Sequence, residues 1–127
     1  MLESAPVVAF APTTDLARAR EFFGGTLGLA LLEEDGFACV FDAGGTRLRV
    51  TLVDALTPAP FTILGWTVPD AHGAAGELAA RGVELLRVDG IGQDADGVWT
   101  APGGAQVVWF KDPDGNTLSV TQDATSA

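Results

Sequence analysis

Val8–Asp15 reads VAFAPTTD, and further along the chain Ile63–Asp70 reads ILGWTVPD. Each is a short apolar run closed by an aspartate, and the segments after the two aspartates are again alike. DLARAREFFGG spaces Leu16, Ala19, Phe22 and Phe23 along one helical face, and DAHGAAGELAARG does the same with Ala71, Ala74, Ala75 and Leu78. Asp15 and Asp70 suit the N-cap, where a carboxylate accepts from the free backbone N–H groups of the first turn; Gly24 or Gly25, and Gly82, suit the helix stop. Gly73 and Gly76 each lower the second helix's intrinsic preference by up to about 1 kcal/mol, so packing must hold it.

The likeness continues outward. Both halves resume with a strand, GLALLEE (28–34) and GVELLRV (82–88), and both close with another, LRVTLVD (48–54) and LSVTQD (118–123). Between them FACVFDAGG and GVWTAPGGAQVVWF read as hairpins from their glycine pairs and alternation. In FKDPDGNTLSV (110–120), Pro113 presets φ for a turn, Asp112 and Asp114 can bond nearby backbone, and Gly115 tolerates positive φ. The reading is an α+β fold of two βαβββ modules in tandem, module one at 6–54 and module two at 62–123. ALTPAPF (55–61), with two prolines, is the linker, and the whole chain 1–127 forms a single domain. Two curved mixed sheets facing each other are expected to form a cleft, one helix outside each.

Bulk properties narrow the function classes. A chain of 127 residues is long enough to bury about two thirds of its unfolded surface without staples. The single cysteine, Cys39, excludes an intrachain disulfide and is expected to be a small buried hydrophobe. Seven Lys+Arg against 17 Asp+Glu give a net charge of −10 spread along the chain, which repels phosphate backbones and argues against nucleic acid. No apolar stretch approaches the roughly 20 residues of a membrane span and no leader is visible, so no membrane partner and a cytoplasmic location are expected. No Ser-His-Asp order, nucleophile elbow or phosphate loop appears. His72, the only histidine, falls in the first turn of the second helix and is expected to face solvent without partners.

The aspartate-closed strand, REFFGGTLGL (20–29), the repeat of both, and the closing FKDPDGNTLSV together resemble the vicinal oxygen chelate superfamily, which includes glyoxalase I, extradiol dioxygenases and bleomycin resistance proteins. In its metal-using members each module supplies a ligand from its first strand and one from its last, usually His, Gln or Glu. Carried onto this chain, the resemblance points to Val8, Arg49, Ile63 and Ser119. Two of these are hydrocarbon, one is a permanent cation, and a lone serine hydroxyl is a poor ligand for a divalent ion. No metal, no other cofactor and no catalytic residue are therefore expected.

Strand alternation turns Val8, Phe10, Arg47, Arg49 and Thr51 of module one, and Ile63, Gly65, Thr67, Thr117, Ser119 and Thr121 of module two, toward the cleft. Leu48, Val50, Trp66, Val68, Leu118 and Val120 turn toward the helices. Trp109 and Phe110 are adjacent, so one ring enters the cleft and the other the core. The ligand-binding set is Val8, Phe10, Arg49, Thr51, Ile63, Trp109 and Ser119. Arg49 stands out, because a guanidinium inside a cleft needs either an internal acid such as Asp42 or Asp54 or a ligand oxygen. The resulting expectation is a metal-free small-molecule binding protein of the bleomycin-resistance type, a homodimer, holding a partly aromatic ligand. The alternatives are a glyoxalase- or dioxygenase-type enzyme with a non-standard site, and a structural module whose cleft is filled by its own side chains.

Overall fold

Asp15 does what its position predicts: its carboxylate accepts from the Arg18 N–H at 3.0 Å and starts α1 (Leu16–Arg20). Just before it, buried Thr13 ends β1 (Val8–Thr13), its hydroxyl hydrogen-bonded to both the carbonyl and the N–H of Asp15. A computed structural model describes residues 1–125. The chain divides into two compact units, Met1–Thr57 and the residues from Pro58 onward, and the boundary falls inside the 55–61 segment.

In the first unit α1 does not stop at Gly24 or Gly25. It widens into a π-helical segment, Glu21–Thr26, in which the Leu27 N–H reaches back to the Phe22 carbonyl at 2.9 Å. The extra residue in the turn lets the adjacent Phe22 and Phe23 both point inward. Phe23 then packs on Phe41, ring centroids 5.9 Å apart. Gly28, at φ +79°, supplies the left-handed residue that ends the segment. β2 (Ala30–Glu34), β3 (Ala38–Ala43) and β4 (Thr46–Leu52) complete a sheet of order β1-β4-β3-β2, with β1 and β4 parallel and the other pairs antiparallel. Its core on the helix side is Ala11, Ala19, Phe22, Phe23, Cys39, Phe41, Leu48 and Val50, and Ala38 and Val40 are buried on the other face of β3.

The second unit repeats the plan with β5 (Thr62–Thr67), α2 (Ala71–Ala80), β6 (Trp99–Thr100), β7 (Gln106–Lys111) and β8 (Thr117–Gln122), in sheet order β5-β8-β7-β6. Asp70 caps α2 through the Gly73 N–H at 3.0 Å, and Gly82, at φ +82°, lies just past its end as expected. Ala71, Ala75 and Leu78 form its buried face, and Val108, Phe110, Leu118 and Val120 are the buried apolar side chains of β7 and β8. Trp66 stacks on Phe110 at 6.4 Å, on the helix-facing side assigned to it. The turn at 112–116 is built by the buried Asp112, whose carboxylate accepts from the N–H groups of Asp114 and Asn116 and from the Asn116 amide.

One expected strand does not form. In GVELLRV, Leu85 makes a single bridge to Phe110, the Leu86 N–H meets the Trp109 carbonyl at 2.8 Å, and the chain then leaves the sheet. Side chains supply the bonds a ladder would have made. Gln93 Nε2 donates to the carbonyls of Leu86 and Gly97 at 2.9 and 3.0 Å, and its Oε1 accepts from the Val88 N–H at 2.6 Å. Arg87 donates to the carbonyls of Asp94 and Ala95. Gly90 and Gly92, at φ +83° and +79°, turn the chain away from an extended course.

Candidate functional site

Parallel pairing of β1 with β4 sets Val8 beside Arg47, Phe10 beside Arg49 and Pro12 beside Thr51. Ala11, Thr13, Leu48 and Val50 are buried on the helix side. The opposite face is open along its β1 edge: Phe10 is 63% exposed, and Arg49 and Thr51 are half-buried beside it, while Val40 and Ala38, their partners on β3, are buried. A depression of about 380 Å³ is lined by Phe10, Ala11, Pro12, Arg49 and Thr51. Ala11 and Pro12 are additions to the expected set. Pro12 sits on an edge strand, where a missing N–H is tolerated, and its ring adds apolar wall.

The electrostatics single out Arg49. Arg47 pairs with Glu33 at 2.7 Å and Arg20 with Glu34 at 2.5 Å. Arg49 forms no hydrogen bond or ion pair among the described residues, and neither Asp42 nor Asp54 reaches it. Asp42 instead accepts from the Gly45 N–H at 2.8 Å in the β3–β4 turn. The Asp35 carboxyl lies below its ordinary range, chiefly through the N–H groups of Phe37 and Ala38, with a smaller contribution from the Arg49 charge. Two residues along β4, the buried Thr51 Oγ1 also has no hydrogen-bond partner.

In the second unit the equivalent pair is Gly65 beside Ser119, so the repeat aligns Phe10 with Gly65 and Arg49 with Ser119. Ser119 is buried, and a Cβ added at Gly65 would lie 2.7 Å from its hydroxyl. Trp109 pairs with Ser119 and packs on Trp99, centroids 5.8 Å apart, while Phe110 fills the core. Ile63 departs from the expected alternation. A bulge between Thr62 and Leu64 leaves it as the extra residue of β5, so strict period-two parity with Gly65 does not carry back to it. Val8, Phe10, Arg49 and Thr51 thus share one face of the first unit, and Trp109 and Ser119 are neighbours in the second.

The metal positions implied by the resemblance are tested by donor chemistry. Val8 and Arg49 on β1 and β4, and Ile63 and Ser119 on β5 and β8, offer no imidazole and no carboxylate. These residues do not fit a divalent ion.

His72 is not partnerless. Its Nε2 lies 2.7 Å from Asp94 Oδ2, and its ligand atom and those of Asp94 and Asp96 lie within 4.8 Å of one another. The Asp94 side chain raises the His72 pKa, and the imidazole lowers that of Asp94. Asp94 also accepts from the N–H groups of Asp96 and Val98, so the pair ties the 88–98 loop to the start of α2. Nothing in local spacing foretells a partner 22 residues away. Among the described residues, no helix is long and apolar enough to cross a membrane.

The model of the Glyoxalase/Bleomycin resistance protein/Dioxygenase superfamily matches residues 6–120. No curated protein matches the chain. Among solved structures, a genomically encoded fosfomycin resistance protein from Listeria monocytogenes superposes with a TM-score of 0.75 at 13% identity, covering 95% of this chain and 94% of that one. A lactoylglutathione lyase from Agrobacterium tumefaciens gives 0.71 at 19% identity, with 94% and 93% covered. A glyoxalase family protein from Bacillus anthracis gives 0.71 at 18%, with 97% and 99% covered. At these identities the likeness is one of fold.

Proposed function

The chain belongs to the Glyoxalase/Bleomycin resistance protein/Dioxygenase superfamily, and from that premise we propose that it is a metal-free small-molecule binding protein, of the bleomycin-resistance type, that sequesters a partly aromatic ligand. The observation that carries this reading is the open face of β1 and β4, where Phe10 and Arg49 stand side by side and Arg49 has no internal partner among the described residues. Val8, Phe10 and Pro12 supply apolar contact there, and Arg49 and Thr51 supply the few polar groups that orient a ligand. Two supporting points are chemical. The residues at the family's ligand positions cannot hold a divalent ion, and the net charge of −10 disfavours nucleic acid as partner.

The protein works as a cytoplasmic homodimer in this proposal. Its sheets end in the edge strands β1 and β2, and β5 and β6, which leave backbone groups open to pairing, and light scattering at micromolar concentration is expected to report a dimer. The deciding experiment is elemental analysis of the purified protein beside a thermal-shift screen of aromatic compounds. The expected result is no stoichiometric zinc, nickel, iron or manganese, a melting temperature unmoved by chelator, and stabilisation by some of the compounds. Near one equivalent of metal per chain would overturn the reading in favour of a glyoxalase- or dioxygenase-type enzyme.

A further inference from the structure

Three features meet in the depression on the first unit. The Arg49 guanidinium stands half-buried without an acid on it, the buried Thr51 Oγ1 two residues along the same strand lacks a hydrogen-bond partner, and the Phe10 ring lies directly across from Arg49 in the register. Buried polar atoms in folded proteins are nearly always satisfied, so an unsatisfied hydroxyl in the wall of a depression asks for a partner from outside the chain. We infer that this depression is a carboxylate-binding site for a flat, largely apolar monoacid, with the carboxylate on Arg49, the ring against Phe10 and Pro12, and a polar substituent of the ligand on Thr51 Oγ1. The inference rests on the proposed binding function and narrows it to a chemical class.

Donor geometry and charge select the class. A guanidinium presents two parallel N–H groups that match both oxygens of a carboxylate, whereas a phenolate or quinone oxygen engages the fork through one atom. The lining side chains beyond Arg49 and Thr51 are Phe10, Ala11 and Pro12, which offer no second cation. A phosphate or phosphonate dianion would leave one charge uncompensated against apolar walls, in a protein that already carries a net charge of −10. A single negative charge on a ring-bearing acid matches what the site offers. The volume of about 380 Å³ lies within the ordinary range for small-molecule sites.

The test uses five probes built on one naphthalene ring, on the full-length protein: 2-naphthoate, a ring-hydroxylated 2-naphthoate, 2-naphthamide, 2-naphthol and 2-naphthylphosphonate, titrated by calorimetry into wild type, Arg49→Gln, Arg49→Lys, Thr51→Val and Phe10→Ala. Wild type is expected to bind naphthoate about tenfold or more tightly than the amide, because a hydrogen bond to a charged group is worth more than a neutral one. Arg49→Gln should abolish that preference and Arg49→Lys should recover only part of it, with unfolding midpoints showing that each variant is folded. Phe10→Ala should weaken naphthoate and naphthamide alike, since the ring contact is blind to charge. Thr51→Val should remove any gain from adding a hydroxyl to the naphthoate ring. Equal binding of acid, amide and naphthol, or a preference that survives Arg49→Gln, would overturn the carboxylate inference while leaving a binding protein. Tighter binding of the phosphonate would overturn it in favour of a dianion. If no probe of any charge bound, the binding function itself would fall with it.

Discussion

The two repeats share a backbone plan and differ in what they do with it. At matched places in parallel ladders, the first unit carries Phe10 beside Arg49 and the second carries Gly65 beside Ser119. In the first, large side chains stand on an open face. In the second, Ser119 is buried and its hydroxyl lies in the space a side chain at position 65 would need. A second contrast runs through the strand after each helix. Ala30–Glu34 pairs with β3 through main-chain bonds, while the matching stretch of the second unit abandons the sheet and is held by the side chains of Gln93, Arg87 and Asp94. A duplicated fold can thus keep its register and its core while one copy opens a face and the other rebuilds an edge as a loop.

The largest effect is expected where side chains replaced the ladder. Gln93→Ala strips partners from the exposed Val88 N–H, which water can then serve, and from the part-buried carbonyls of Leu86 and Gly97, where a lost partner costs roughly 1 kcal/mol or more in all. Urea unfolding measures the loss, and limited proteolysis should cut first between residues 88 and 98. An unchanged midpoint with no new cleavage would mean that the loop holds itself by backbone turns alone.

A smaller effect tests the matched faces. Gly65→Ala sets a methyl 3.3 Å from the Ser119 carbonyl and against its hydroxyl, so the serine must rotate, at about 1 kcal/mol. Phe10→Ala, on the exposed side of the comparison, should change stability by no more than about 0.5 kcal/mol. If the two variants unfold alike, the asymmetry between the faces carries no energetic weight.

The smallest effect is that of the His72–Asp94 pair. The folded-state pKa of His72 is raised above 6.5, first by its hydrogen bond to Asp94; burial opposes that rise, and the charges of Asp94, Asp96 and Asp70 each add a lesser upward push. A raised basic group stabilises the fold fully below its unfolded pKa, and that contribution is lost as pH rises through the folded value. The melting temperature of wild type should therefore exceed that of His72→Gln below pH 6.5 and converge with it in alkaline buffer. The depressed Asp94 carboxyl sets the other limit, its share being lost as pH falls below 3.8 toward the folded value. A constant difference at every pH would assign His72 a packing role only.

The features legible in the chain are those that physics keeps local. Asp15 and Asp70 cap through N–H groups three residues on, the 112–116 turn closes on its own aspartate, and period-two alternation turns Leu48, Val50, Leu118 and Val120 inward. The register that aligns Arg49 with Ser119 is also legible, because the repeat carries it. The π-helical widening at Glu21–Thr26 is not, since glycines ordinarily read as stops and here Gly24 instead brings the backbone close to the Phe41 ring. Nor is the loss of the 82–88 strand. Val83, Leu85 and Leu86 have strand character, and it is overridden by a glutamine and an arginine whose partners depend on how the chain folds back. The bulge that displaces Ile63 and the meeting of His72 with Asp94 are likewise products of tertiary structure.

Cys39 lies fully buried in β3, its sulfur 3.7 Å from a Glu34 carboxylate oxygen and 4.0 Å from the Leu16 carbonyl. Burial, then the Glu34 charge, pushes its thiol above the ordinary range, so the nucleophilic thiolate is scarce while the unit stays closed. The chain has no other cysteine. A thiol reagent in excess therefore acts as a stopwatch on the first unit alone: each modified molecule records one opening of the strand that holds Cys39. A ligand seated on Phe10 and Arg49 would slow that clock by stabilising the closed unit, which makes the labelling rate an occupancy gauge for a site that contains no sulfur.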